Sequence, residues 1–204
     1  LGQSTVYQYV AGNTQNVQAI VDPLGNRSTF TYNSDGTVAT TTDARGLVTS
    51  NVYDSAGMLE ADIAPDGSRT TFTYDSLGRK TTQKDPLGRV TSYAYDAADH
   101  VISVTNAAGE MTRYIYDSCL LKAVVDPLGN RTTYTYGRFQ ERTSVTDPLG
   151  RVTTFVPDNM GRIVEVIDPL GNTSTTVYAT NGLKSADVDP LGKSKTQRYY
   201  YAEK

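Results

Sequence analysis

The sequence predicts an all-β protein: tandem 21-residue β-hairpin repeats forming a curved antiparallel ribbon. Three observations predict it. The tetrapeptide DPLG begins at residues 22, 85, 126, 147, 168 and 189. The glycine of this turn, or of its variants DARG (43–46), APDG (64–67) and NAAG (106–109), falls at 25, 46, 67, 88, 109, 129, 150, 171 and 192, in steps of 21 with one step of 20. Midway through each unit a second turn opens on tyrosine, at 32, 53, 74, 95, 116, 136, 178 and 199, with Pro157 as the one replacement. Self-similarity at a fixed period of this length marks a repeat architecture.

The first turn has a mechanism. In Asp-Pro-x-Gly, proline presets its own φ, aspartate can accept a hydrogen bond from the backbone two residues on, and glycine takes positive φ. Asp22, Gly25, Asp85, Gly88, Asp126, Gly129, Asp147, Gly150, Asp168, Gly171, Asp189 and Gly192 are therefore turn residues. Seven of the eight prolines stand in this turn, so the strands are nearly free of the residue that deletes a ladder bond. Glycine closes the second turn at 36, 57, 78, 161 and 182, where the middle units carry Asp99, Leu120 and Gln140.

Between the turns, RTTYTY (131–136) alternates, with Thr132, Tyr134 and Tyr136 on one face and Arg131, Thr133 and Thr135 on the other. Phe30 and Tyr32 share a face in the same way. The second strand, as in RIVEVID (162–168) or HVISVTN (100–106), holds apolar residues at mixed spacings, which a β-bulge would explain. No stretch sustains a 3.6-residue period, so almost no helix is expected. Residues 1–204 read as a single array of about nine units, the first partial and irregular at 1–24, with no separate domain.

Short strands joined by short turns pair antiparallel. About eighteen strands make a ribbon about 86 Å wide and about 24 Å high, which should curl. Closed once, such a ribbon is about 27 Å across, too small to surround a compact cargo of about 34 Å. Two rivals fit less well. A parallel β-helix fills its axis with small or aliphatic residues, whereas these strands carry tyrosine. A propeller needs an alternation of about 40–50 residues, which does not occur.

Composition excludes several functions. Nineteen Lys and Arg against 22 Asp and Glu give a net charge of −3, which supplies no basic face for nucleic acid. Hydrophobic residues make up 38%, with no Trp, four Phe and 15 Tyr, a poor supply for a thick core. Cross-strand pairs should stabilise the sheet more than a deep interior does. No apolar run of about 18 residues is present for a membrane helix. No signal peptide is visible, and the chain begins at Leu1, so it reads as part of a longer protein.

The residue types that could carry chemistry are the carboxylates, His100 and Cys119. Asp54, Asp75, Asp96 and Asp117 follow the second-turn tyrosine, and with the first-turn aspartates they read as turn caps. A catalytic carboxylate pair needs two unlike environments, and a repeat gives each aspartate the same one. Asp62 and Asp187 fall off the turn positions and read as surface residues without evident partners. His100 stands where other units carry Arg or Thr, and reads as a solvated strand start. Cys119 takes the place of Leu77 or Ala56 and reads as a small apolar filler. One Cys and one His cannot build a structural zinc site, and DVD (187–189) is too little for calcium. No catalytic residue, metal site or cofactor is expected.

YDSLGR (74–79) followed by DPLGRVTSYAYD (85–96) resembles the Rhs, or YD, repeat family, and the resemblance runs from about residue 5 to the end. That family includes bacterial Rhs polymorphic toxins, the B and C components of insecticidal toxin complexes, wall-associated proteins and teneurins. The resemblance implies a section of a β-spiral shell that encloses a C-terminal toxin, which an aspartyl autoprotease often frees. The family's shell-closing DPxGL segment is absent here, since DPLG is followed by Asn, Arg or Lys. Autoproteolysis and toxicity are therefore not carried over.

These readings give an expected function. The chain is a structural, non-enzymatic wall segment whose partners are the rest of its own parent chain and an enclosed toxin or effector. The resemblance implies a secreted or cell-surface bacterial protein. The alternative is an extracellular adhesion module binding carbohydrate or protein through its Tyr and Thr faces. Open strand edges at both ends also invite self-association. No membrane insertion is expected.

Overall fold

The computed structural model describes residues 4–196. These contain nineteen strands and no helix. The strands are β1 (Val6–Val10), β2 (Asn13–Val21), β3 (Arg27–Tyr32), β4 (Val38–Thr42), β5 (Val48–Tyr53), β6 (Leu59–Ile63), β7 (Arg69–Tyr74), β8 (Lys80–Lys84), β9 (Val90–Tyr95) and β10 (Val101–Thr105). They continue with β11 (Met111–Asp117), β12 (Leu120–Val125), β13 (Arg131–Tyr136), β14 (Arg142–Thr146), β15 (Val152–Pro157), β16 (Ile163–Ile167), β17 (Thr173–Tyr178), β18 (Lys184–Val188) and β19 (Ser194–Thr196). The count passes the expected eighteen because the irregular opening unit forms its own hairpin, β1 with β2.

Two compact units divide the chain: residues 4–94 with Val104–Glu110, and Tyr95–Ser103 with the residues from Met111 on. In the first unit β1 to β9 pair in chain order, each strand antiparallel to the next. In the second, β11 to β19 do the same.

Nearly all the tips share one construction, although the sequence suggests two kinds of turn. At Asp126–Asn130 the Gly129 amide donates to the Asp126 carbonyl (3.0 Å), and the Asp126 amide donates to the Asn130 carbonyl (3.0 Å). The same pair of bonds closes the second-turn tip Asp54–Met58. This is a type I turn followed by a left-handed residue, a geometry suited to strand twist. Gly129 sits at φ 85°; Asp99 and Gln140 take the same conformation without being glycine, at 66° and 63°. Leu120 does not. The hairpin between β11 and β12 turns in two residues, Ser118 and Cys119, with Ser118 at φ 54°, and Asp117 pairs directly with Leu120. One residue is missing there, which accounts for the single step of 20. Cys119 is exposed at that tip rather than filling an apolar gap.

Each regular hairpin with a described register carries a bulge at the same place. Thr31 pairs with Thr40 but Tyr32 with Val38; Thr73 pairs with Thr82 but Tyr74 with Lys80; Thr135 pairs with Ser144 but Tyr136 with Arg142. One extra residue therefore lies in the second strand, the source of its mixed apolar spacing. The bulge gathers hydroxyls. Thr73 Oγ1 lies 2.9 Å from Thr81 Oγ1 and 2.6 Å from Thr82 Oγ1, and Thr135 bonds Thr143 and Ser144 alike.

Burial is shallow. Among the described residues the buried apolar side chains are Ala19, Ala61, Ala123, Val125 and Ala186, and no large side chain is fully covered. Each alanine sits mid-strand between longer neighbours, as Ala61 does between Val52 and Thr71 and Ala123 between Ile115 and Thr133. Stability rests on ladder bonds and on cross-strand pairs of about 0.2–1 kcal/mol each. A Cβ on Gly129 would meet nothing within 4 Å, so its cost is conformational alone. Urea denaturation should show Gly129→Ala losing about 1–2 kcal/mol, and Gln140→Gly gaining about 0.5–1 kcal/mol as strain is relieved.

Candidate functional site

The recurring polar residues form one device repeated along each unit. Aspartate opens a tip and folds its carboxylate over the backbone that follows. Asp126 Oδ1 accepts from the amides of Leu128 (2.9 Å) and Asn130 (2.8 Å), and Oδ2 accepts from Asn130 Nδ2 (2.7 Å). Asp22 and Asp168 repeat this with Asn26 and Asn172. Asp85 and Asp147 hold Arg89 and Arg151 instead, and Asp189 accepts from the amides of Leu191 and Lys193. The second-turn aspartates do the same: Asp54 caps Ala56 and Met58, and Asp75 and Asp158 cap their tips and hold Arg79 and Arg162. Where the first place lacks aspartate, Asn106 caps its own tip through Oδ1, and at APDG a later residue compensates, Asp66 Oδ1 accepting from the Ser68 amide.

These bonds set the acidity of the carboxylates. The Asn26, Asn130 and Asn172 side chains hold Asp22, Asp126 and Asp168 below the usual carboxylate value. The Arg162 side chain and the Arg79 amide do the same for Asp158 and Asp75. At Asp85 and Asp147 desolvation pushes upward, and the bonds from Arg89 and Arg151 outweigh it.

The repeat tyrosines Tyr32, Tyr53, Tyr74, Tyr95, Tyr116, Tyr136 and Tyr178 are all half-buried; Tyr199 lies outside the described residues. Tyr32, Tyr53, Tyr74 and Tyr136 close the seam between successive hairpins. The ladder between β4 and β5 ends at Thr40 with Ser50. Two residues further along, the Val38 carbonyl accepts from the Tyr53 hydroxyl at 3.0 Å. Tyr74 reaches Leu59 (2.9 Å) beyond the β6–β7 ladder, and Tyr136 reaches Leu121 (2.8 Å) beyond β12–β13. Tyr32 bonds the Val17 carbonyl at 2.7 Å. Desolvation, then the charge of Asp54, raises the Tyr74 phenol, which stays a donor at neutral pH. Tyr116 and Tyr178 use their rings, stacked on His100 (4.5 Å) and under the Arg162 guanidinium (4.3 Å).

His100 is therefore not a solvated strand start. Its Nδ1 lies 2.9 Å from Asp96 Oδ2 and its ring covers Tyr116, which gives it the place of Arg162 between Asp158 and Tyr178. The His100 bond is the chief cause that holds the Asp96 carboxyl below the usual carboxylate pKa. Asp187 has partners the sequence did not suggest, Thr176 Oγ1 at 3.1 Å and Lys184 Nζ at 2.7 Å. Asp62 is half-buried opposite Asn51 and Thr70, with Oδ1 unbonded. His100 directly precedes β10, whereas Cys119 lies exposed at the tip between β11 and β12. Among the described residues no three His, Cys, Asp or Glu side chains gather as a metal site.

Two outcomes follow from this geometry. Tyr74→Phe keeps the ring and leaves the Leu59 carbonyl without its donor, so denaturation should show a loss of about 0.5–1.5 kcal/mol, with faster amide exchange confined to β6 and β7. The lowered aspartates stabilise the fold fully above the ordinary value of 3.8 and lose that contribution as pH falls below it. Thermal melts followed by circular dichroism should be flat between about pH 5 and 7 and fall steeply below about pH 4.

The RHS Repeat family model matches residues 53–90, 81–111, 95–119, 120–148 and 139–173, which together run unbroken from 53 to 173. No curated protein matches the chain by sequence. Among solved structures, the TcdB2-TccC3 complex without its hypervariable C-terminal region superposes with a TM-score of 0.64 at 17% identity, over 98% of this chain and 12% of that one. The TcdB2-TccC3-Cdc42 crystal structure gives 0.62 at 13% identity, over 97% and 14%. The Photorhabdus luminescens Tc holotoxin pore gives 0.60 at 14%, over 87% and 12%. The likeness is one of fold, and this chain spans roughly an eighth of the neighbours it matches. A motif matched across more than half of the residues, on the fold those neighbours share, makes this chain a structural repeat segment that belongs to the RHS repeat family.

Proposed function

We propose that this segment is wall in a larger β-shell that encloses an attached effector polypeptide. One observation carries the reading: its recurring aspartates and tyrosines are engaged in holding tips and seams. The aspartates cap their own backbones and the tyrosine hydroxyls bond neighbouring hairpins. The reading assigns the segment no reaction and no cofactor. Its similarity to toxin-complex structures supports an effector as the enclosed partner and a bacterial, exported parent protein. The small share of those chains that it spans supports a wall built from more repeat than these 204 residues.

The test uses the full parent protein. Limited proteolysis should leave the enclosed polypeptide intact while the shell is folded, and digest it within minutes once mild denaturant opens the wall. Equal digestion rates in both states would refute enclosure.

A further inference from the structure

We propose that Asp62 receives an alkylammonium group, the head of a lysine side chain, from outside its unit. Two positions in the second strand of each hairpin carry the inference. The first pairs with the repeat tyrosine, and the second, three residues on, pairs with the residue two before that tyrosine. By register both belong to the tyrosine face. In two hairpins the second position holds a carboxamide or a carboxylate and the first holds lysine. Lys80 Nζ lies 3.0 Å from Gln83 Oε1, and Lys184 Nζ lies 2.7 Å from Asp187 Oδ1. Where the second position is valine or threonine, the first is apolar or arginine, as in Val38 with Thr41, Leu121 with Val124 and Arg142 with Val145. Asp62 departs from this pattern, because Leu59 stands in the place of the lysine. Its Oδ1 is buried and unbonded.

The cross-strand neighbours do not answer that oxygen. Asn51, opposite on β5, donates its amide nitrogen to the Val38 carbonyl at 3.0 Å. Thr70, opposite on β7, makes no bond to it. A buried carboxylate oxygen without a donor is costly and calls for a partner. The neighbours do leave room for one. Among the described registers the place opposite the second position holds a ring in most hairpins, such as Phe30, Phe72 and Tyr134. Asn51 and Thr176 are the exceptions, and they face Asp62 and Asp187. The shorter side chain leaves beside the carboxylate the space that a ring takes elsewhere.

The repeat itself selects the ligand. A hard divalent ion takes about six or more oxygens, and among the described residues no three His, Cys, Asp or Glu side chains gather. A single carboxylate matches a single positive charge. On this face the guanidinium of Arg142 covers the Tyr134 ring, beside Val145, where no acceptor stands. The ammonium is the group that meets the acceptor at both Gln83 and Asp187. Asp62 offers the same acceptor without an internal lysine, so the matching group is an ammonium brought from outside. The inference does not depend on the shell reading.

Carboxyl-carbon NMR of the 204-residue chain reads the site, with acetyl-lysine methylamide added from about 1 to 100 mM at constant ionic strength. The Asp62 signal should shift saturably, and acetyl-norleucine methylamide, which lacks the charge, should leave it in place. Asp62→Asn brings a carboxamide, which the fold already accepts at Gln83, and should abolish the accompanying shift of the Asn51 side-chain amide. Leu59→Lys brings the residue found at Lys80 and Lys184. It should form within the hairpin the bond that Lys184 makes to Asp187, raise Tm by about 2–4 °C and remove the response to added amine. The peptide Gly-Gly-Lys-Gly-Gly and free butylamine separate the sources. Tighter binding of the peptide assigns the site to a polypeptide lysine, and equal binding assigns it to a small amine; both support the site. Absence of a saturable Asp62 shift overturns the proposal. So does an Asn51 response that survives Asp62→Asn, or amine binding that survives Leu59→Lys.

Discussion

The seam between one hairpin and the next is the constraint on which the structure depends. A hairpin satisfies its inner ladder alone, but each strand also turns a row of backbone groups outward, and buried or half-buried groups of this kind need partners. The ladder supplies only three residue pairs across a seam such as β4–β5 before the strands part. The tyrosine hydroxyl takes the carbonyl beyond that point. The links form a chain: Val38, which accepts from Tyr53, pairs within its own hairpin with Tyr32, which donates to Val17. Each hairpin is thus held on the side where its own ladder ends, and stability takes the nearest-neighbour form of repeat proteins.

The two ends of each hairpin divide the remaining work. At the first-turn end the strands stay paired to the tip, and aspartate, proline and glycine fix the reversal. At the second-turn end a bulge inserts a residue, neighbouring hairpins separate, and a ring with a polar tip fills the gap. The ring two residues before it lies under a cation in several units: Arg142 covers Tyr134 at 4.7 Å, and Lys80 lies over Phe72 and Tyr93 at 5.6 and 4.9 Å. Tyrosine suits the place because its body is apolar and its hydroxyl can donate. With alanine as the most buried residue, no thick interior is needed, which agrees with a composition poor in aliphatic residues.

Much of this was legible in the residue order. The period, the strands, the turn chemistry of Asp126 and Gly129 and the family likeness all follow from DPLG and YD spacing. The bulge was visible only as irregularity in RIVEVID, because a register shift is a relation between two strands and leaves no residue of its own. The hydroxyl bonds went unread, although a sign was present. Two residues before the repeat tyrosine the units accept Phe30, Phe72 or Phe155, whereas the repeat position itself never holds phenylalanine. The place of His100 was obscured because Asp96, at the edge of its ring, and Tyr116, on its face, lie 4 and 16 residues away. Leu120 was misplaced because counting from Tyr116 assumes a tip of constant length.

That shortened tip also shows where such an array can change length. Removing a residue from within a strand would exchange its two faces and carry tyrosine to the threonine side. At Ser118–Cys119 the loss is absorbed outside the ladder, and Tyr114 and Tyr116 keep the side they hold elsewhere. Single deletions are therefore tolerable only at a reversal, while whole hairpins can be added or lost with one seam remade. Growth by duplication is open to this architecture at any seam, and gradual lengthening of a strand is closed to it.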